Sequence, residues 1–141
     1  GGEYEEAGTF GDVLANACLA KGIGGLVTDS GVRDSLQLRE LGFPVFSLSV
    51  CIKGTVKETL TSTNDPMVVG GELIHPGDII VGDADGLVVV RRDEALEVAR
   101  LSQAREDAEA GYIAAYKAGK SVVEVSQLEA VLKAKGLTVE T

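Results

Sequence analysis

Residues 11–34, GDVLANACLAKGIGGLVTDSGVRD, decide how this chain reads. Apolar side chains recur at three and four, from Phe10 through Val13 and Leu14 to Ala17 and Cys18, which predicts a short helix over 10–20 entered at Gly11-Asp12. IGGLVT at 23–28 reads as a short strand whose glycines permit close approach, and Asp29-Ser30-Gly31 as a turn. Arg33-Asp34 then stand just past a strand and turn, where α/β proteins present working groups on their loops.

Outward from this stretch, residues 1–9 are rich in Gly and Glu and read as a loop. A turn or two of helix is expected over 35–41, ended by Gly42, and a second strand over 45–50 after Pro44. Residues 53–63 read as extended or looped. Short strands follow at 67–69 and 72–74 around Gly70-Gly71, then a tight turn at His75-Pro76-Gly77-Asp78. The runs 79–81 and 87–90 read as a hairpin across GDADG. Helices close the chain, one over 93–118 and a last over 125–135 stopped by Gly136. The order is α/β with a substantial antiparallel component, short mixed strands and C-terminal helices, rather than a regular βαβ series.

The chain has 141 residues, 13 Lys plus Arg against 22 Asp plus Glu, and a formal charge of −9. One domain fits that length. With 45% hydrophobic and 25% charged residues it has globular composition, not the composition of disorder. An acidic chain without a basic run repels phosphate backbones, so no nucleic-acid partner is expected. No apolar stretch approaches the ~20 residues of a membrane span. Cys18 and Cys51 lie far apart in apolar runs and read as two buried thiols. One His and two Cys cannot build a structural zinc site, so any metal here takes oxygen ligands, as Mg²⁺ or Mn²⁺ does. Neither GxGxxG nor GxxxxGK[ST] occurs, and His75 has no Ser or Cys partner in sight.

Three groups of residues carry chemistry. Arg33 and Asp34 side by side match a guanidinium for a carboxylate or oxyanion with a carboxylate for a hard cation; alternatively Asp34 caps the next helix and Arg33 is a surface charge. At Gly11-Asp12-Val13-Leu14 a helix start leaves the Val13 and Leu14 N–H groups open to a carboxylate; alternatively Asp12 caps its own helix. Glu106, Asp107 and Glu109 form an acidic face that reads most simply as solvated.

Asp12, twenty intervening residues and Arg33-Asp34 together make the pattern D-x20-R-D. With LRELGFPVF, KGTVKE, the Asn64-Asp65-Pro66 turn before MVVGG, and HPGDIIVGDADGLVVV, it resembles the class II pyruvate aldolases of the RraA-like fold. These are the 4-hydroxy-4-methyl-2-oxoglutarate / 4-carboxy-4-hydroxy-2-oxoadipate aldolases. The resemblance implies a β/β/α swivelling domain over 1–141, lacking the family's N-terminal segment, with 92–141 as its C-terminal helical extension. It further implies trimers or hexamers with active sites between subunits, in an enzyme of aromatic-acid catabolism; the acidic composition and the absence of export signals favour the cytoplasm.

By the same resemblance Asp34 binds Mg²⁺ (or Mn²⁺) and the Val13 and Leu14 N–H groups take the carboxylate of a small 2-oxo acid. Arg33 faces its keto oxygen, and Asp12 holds a proton-relaying water. Glu109, with Glu106 as the alternative, reaches the neighbouring subunit's site. The implied reaction is retro-aldol cleavage to pyruvate through its enolate, with oxaloacetate decarboxylation from the same site. Gln37 stands where the family usually has an acid. Thr55 and Lys57 read as loop residues or as contacts for a distal anion. The rival implied by the fold is a non-catalytic RraA-like regulator that binds ribonuclease E or another protein partner; such regulators generally lack the complete Asp…Arg-Asp set, which is present here.

Overall fold

The computed structural model describes residues 6–56 and 62–136. Lys57, one of the two loop residues singled out in KGTVKE, lies outside them. The chain divides into two compact units, Gly1–Val89 and Val90–Thr141.

The first unit is built on three parallel strands, β1 (Gly8–Phe10), β2 (Leu26–Val32) and β3 (Val45–Val50), in that order across the sheet. Helix α1 (Asp12–Ala20) links β1 to β2, and α2 (Ser35–Glu40) links β2 to β3. The expected α/β fold is therefore present, but residues 8–50 are a βαβαβ series where an irregular order was expected. The reason is β1: Gly8-Thr9-Phe10 is too short to show alternation, yet it is held by β2 along its length. Phe10 consequently belongs to a strand and α1 begins at Asp12.

A small apolar core joins the two helices to the sheet. Ala15 of α1, Leu38 of α2, Val32 of β2 and Phe43 are buried together, and Phe10 stacks on Phe43 with ring centroids 5.8 Å apart. Deleting a buried leucine or phenylalanine side chain from such a cluster costs about 2–5 kcal/mol. Gly25 closes up on Pro44, where an added Cβ would lie 3.0 Å from the carbonyl oxygen.

β2 is longer than the reading of 23–28 and shifted along the chain, and it absorbs the supposed turn at Asp29-Ser30-Gly31. Neighbours on both sides keep that segment extended, and its excess length goes into register shifts rather than a reversal. The shorter elements agree with expectation. β4 (Met67–Val69) and β5 (Glu72–Ile74) form an antiparallel hairpin over Gly70 and Gly71, both at positive φ. β6 (Ile79–Gly82) pairs with β7 (Leu87–Val90). Gly82 sits so close to the Leu87 side chain and the Phe46 ring that a Cβ would fall within 2.7 Å of both.

The second unit is helical. α3 (Ala95–Lys117) has no buried residue and carries the surface pairs Glu97–Arg100 and Arg105–Glu109. The last helix expected over 125–135 is present only as α5 (Glu129–Ala134); its first residue belongs instead to a separate short helix, α4 (Val122–Val125), with Gln127 between them at φ 54. Among the described residues no helix is long and apolar enough to cross a membrane.

Cys18 and Cys51 are free thiols but only half-buried, not fully buried as expected. Cys51 lies at the sheet's end, where its Sγ donates to the Glu6 carbonyl at 2.9 Å. His75 shares its turn with Asp78, whose carboxylate accepts from the His75 backbone N–H at 2.9 Å.

Candidate active site at the strand ends

In parallel sheets, groups that act on ligands gather beyond the carboxyl ends of the strands. Here two such ends meet. The chain leaving β1 passes through Gly11 into α1, and the chain leaving β2 passes through Arg33 and Asp34 into α2. Arg33 is tied to β1 twice: its backbone N–H donates to the Phe10 carbonyl at 2.8 Å and its Nη1 to the Gly8 carbonyl at 3.1 Å. Arg33 Nε lies 3.6 Å from Asp34 Oδ2, with both side chains about one third exposed. An ion pair of that exposure contributes little to stability.

Asp34 adopts φ 55 and ψ 38, a left-handed conformation uncommon for a non-glycine residue but most accessible to Asn and Asp. It occupies the N-cap position of α2 yet makes no capping bond there. Its Oδ2 instead accepts the Asp12 backbone N–H at 3.2 Å. The capping alternative for Asp34 is thus overturned: its carboxylate is directed across to the first turn of α1. Asp12 does not cap its helix either. The N-cap is Gly11, without a side-chain cap, and Asp12 is the first helical residue.

Gly11 makes this arrangement possible. Its backbone is extended, at φ −151, so conformation does not demand glycine. Space does: an added Cβ would overlap Asp34 Oδ2 and come within 3.0 Å of Arg33 Cγ and Nε. The structure therefore brings Asp12, Val13, Leu14, Arg33 and Asp34 together around one helix start. Ala15 N–H already closes on the Gly11 carbonyl at 3.1 Å, whereas the Val13 and Leu14 N–H groups precede the first intrahelical bond. Val13 and Leu14 are both exposed.

Asp34 Oδ1, the Asp12 carboxylate and Arg33 Nη2 have no hydrogen-bond partner among the described residues. Glu109 lies on α3 in the second unit, where its Oε1 accepts from Arg105 Nε at 2.8 Å; Glu106 is exposed on the same helix, and Asp107 accepts from Gln103. Gln37 is exposed on α2. Thr9, between the two β1 carbonyls that Arg33 bonds, and Ser30 of β2, which no sequence signal singled out, bond to each other through their hydroxyls at 2.7 Å. Two grooves of about 500 and 480 Å³ lie elsewhere in the first unit, both walled by Val27, Phe46, Val69, Ile74, Ile80 and Leu87. Neither is lined by Asp12, Arg33 or Asp34.

Residues 1–89 match the RraA-like family, Aldolase/RraA, and the chain belongs to that family. A Halalkalibacterium halodurans protein provisionally named a 4-hydroxy-4-methyl-2-oxoglutarate aldolase is 36% identical over 101 residues, 70% of this chain and 48% of that protein. The crystal structure of an uncharacterized Pseudomonas syringae protein matches with a TM-score of 0.79 and 30% identity, over 86% of this chain and 61% of that one. Streptomyces coelicolor RraAS2, described as an unusual member of the RNase ES inhibitor RraA protein family, matches with a TM-score of 0.68 and 32% identity. That match covers 77% of this chain and 56% of that one. The chain spans about half the length of the first relatives it matches.

Proposed function

We propose that the protein is a divalent-metal-dependent pyruvate lyase acting in the cytoplasm. Its substrates on this reading are 4-carboxy-4-hydroxy-2-oxoadipate, cleaved to pyruvate and oxaloacetate, or 4-hydroxy-4-methyl-2-oxoglutarate, cleaved to two pyruvates. Oxaloacetate decarboxylation accompanies either. The observation that carries the reading is the seating of Asp34: left-handed, not capping α2, and turned to the α1 N-terminus beside Arg33.

The donor set suits one kind of cation. Asp34 offers an open Oδ1 on a side chain about one third exposed, and no group of three His, Cys, Asp or Glu residues clusters among the described residues. A single carboxylate fits Mg²⁺ or Mn²⁺, which keep most of their waters, and does not fit a closed zinc cage. Bound by Asp34, such an ion would polarise the oxygens of a 2-oxo acid. The Val13 and Leu14 N–H groups receive the substrate carboxylate at the positive end of α1. Arg33 sets its guanidinium beside the keto oxygen, where negative charge grows as the C–C bond breaks toward the enolate. Asp12 holds a water that takes the hydroxyl proton and later returns one to the enolate carbon.

Glu109, or Glu106 in its stead, assists from a neighbouring copy in a homotrimer or hexamer; Glu109 would exchange its Arg105 partner to do so. Support for an assembly comes from the apolar side chains exposed on the hairpins, Met67, Val68, Leu73, Val81 and Val88 among them.

A second reading is favoured by the likeness to the Streptomyces structure: a regulator that binds an RNase E-type protein instead of turning over a substrate. Pyruvate release from the two aldols, measured with Mg²⁺ and again with EDTA, separates the two. Release that depends on Mg²⁺ supports the lyase. No release, together with inhibition of a ribonuclease E by the same preparation, supports the regulator.

A further inference from the structure

β1 and β2 each carry one residue too many for their neighbour. β1 advances two positions, Gly8 to Phe10, while β2 advances one, Gly31 to Val32, so Thr9 is the extra residue. β2 advances three, Thr28 to Gly31, while β3 advances two, Ser47 to Ser49, so the excess falls at Asp29-Ser30. Bulges of this kind re-aim side chains beside working sites. These two are joined through hydroxyls.

The order of protons in that junction follows by elimination, because each hydroxyl has one hydrogen to give. The Gly31 carbonyl can only accept, so Thr9 Oγ1 donates to it, at 3.0 Å. Ser30 Oγ must then donate to Thr9 Oγ1 at 2.7 Å, and Thr28 Oγ1 to Ser30 Oγ at 2.8 Å. The Ser30 backbone N–H donates to Thr28 Oγ1 at 3.2 Å. Ser30 is buried, so water does not substitute readily for any of these bonds.

We propose that this chain of hydroxyls is a positioning device for the Arg33 guanidinium, with Thr9 and Ser30 as the positioning residues. The proposal rests on the lyase reading, in which Arg33 faces the substrate's keto oxygen. The two carbonyls that hold Arg33, Gly8 on its Nη1 and Phe10 on its backbone N–H, flank Thr9 on either side. The extra residue at Thr9 sets where those carbonyls stand against β2, and the Thr9 hydroxyl locks that offset to Ser30 and Gly31. A slip of one residue would carry Gly8 O about 3.3 Å along the strand, out of reach of Nη1. The backbone packs tightly at Gly8, where a side chain has no room: an added Cβ would overlap the Cys51 carbonyl and meet Arg33 Cβ at 3.1 Å.

The test uses the whole protein labelled with ¹⁵N-arginine, the Arg33 signals being assigned by their absence in Arg33→Lys. Two quantities are measured in wild type, Thr9→Val and Thr9→Ser: the rotation rate of the Arg33 Cζ–Nη bonds, and kcat and KM for pyruvate release from oxaloacetate. Thr9→Val speeds the Arg33 rotation about tenfold and lowers kcat roughly 10- to 100-fold with little change in KM, as a misplaced guanidinium would. Thr9→Ser restores both. Should Thr9→Val not fold, Ser30→Ala breaks the same chain and carries the same expectation. An Arg33 rotation unchanged in these variants overturns the proposal, whatever happens to kcat. So does a faster Arg33 with kcat intact. If wild type releases no pyruvate, the lyase reading fails by itself, and the rotation rates still decide whether Thr9 and Ser30 hold Arg33.

Discussion

An aspartate held at φ 55 gives up about 1 kcal/mol of backbone energy, and Asp34 does so without collecting a capping bond in return. Its carboxylate instead reaches Asp12 N–H, past a glycine whose missing Cβ is the space it occupies. Gly11→Ala therefore dislodges Asp34 or Arg33, and on the lyase reading kcat/KM for pyruvate release falls about 100-fold, as displacement of reacting groups by an ångström does. Gly24→Ala serves as the control: a Cβ there meets nothing within 4 Å, and stability and rate should stay at wild-type values. At this scale the sequence was informative about identities and silent about atoms. Asp12, Arg33 and Asp34 stand out by their spacing, and the structure gathers them. That Asp12 contributes its backbone N–H to Asp34, or that Gly8 O anchors the guanidinium, depends on a strand pairing no local pattern reveals. Thr9 and Ser30 stayed hidden because hydroxyls beside glycines read as turn chemistry.

Elements were legible where periodicity or turn chemistry acts locally, as in α2, β3 and the two hairpins. They were misread where a neighbouring strand decides. Asp29-Ser30-Gly31 has the composition of a turn, but the Ser30 N–H and the Gly31 carbonyl find the Thr28 and Thr9 hydroxyls, so the segment stays in β2 as a bulge. The split between α4 and α5 likewise follows from Gln127 at positive φ, which an apolar count over 125–135 does not detect. α4 carries a full capping box, Ser121 with Glu124. The Ser121 backbone N–H and hydroxyl, with Lys120 nearby, hold the Glu124 carboxyl below the usual glutamate range. A depressed folded value means the cap contributes fully above the ordinary carboxylate pKa of about 4.3 and is lost as pH falls through the lower folded one. Ser121→Ala should move the Glu124 titration upward in an NMR pH series, and loss of α4 order should begin at higher pH.

For the molecule as a whole, the first unit rests on few buried side chains. Among the described residues the buried apolar ones are Ala7, Ala15, Val32, Leu38 and Phe43, whereas the β4–β7 hairpins expose much of their apolar surface. Leu38→Ala removes one wall of that cluster and should cost about 2–5 kcal/mol in urea unfolding of the whole protein. A loss under 1 kcal/mol would contradict the place of Leu38 in that cluster. The most direct test of the central claim is Mg²⁺-dependent pyruvate release from oxaloacetate by wild type and by Asp34→Asn. Asparagine tolerates the left-handed backbone and can still accept the Asp12 N–H, so the fold and the Arg33 seat are kept while the charge is removed. The account predicts release that EDTA abolishes in wild type and that is absent, above the metal-only background, in the variant. An Asp34→Asn protein that releases pyruvate at the wild-type rate, with the same Mg²⁺ dependence, would contradict it.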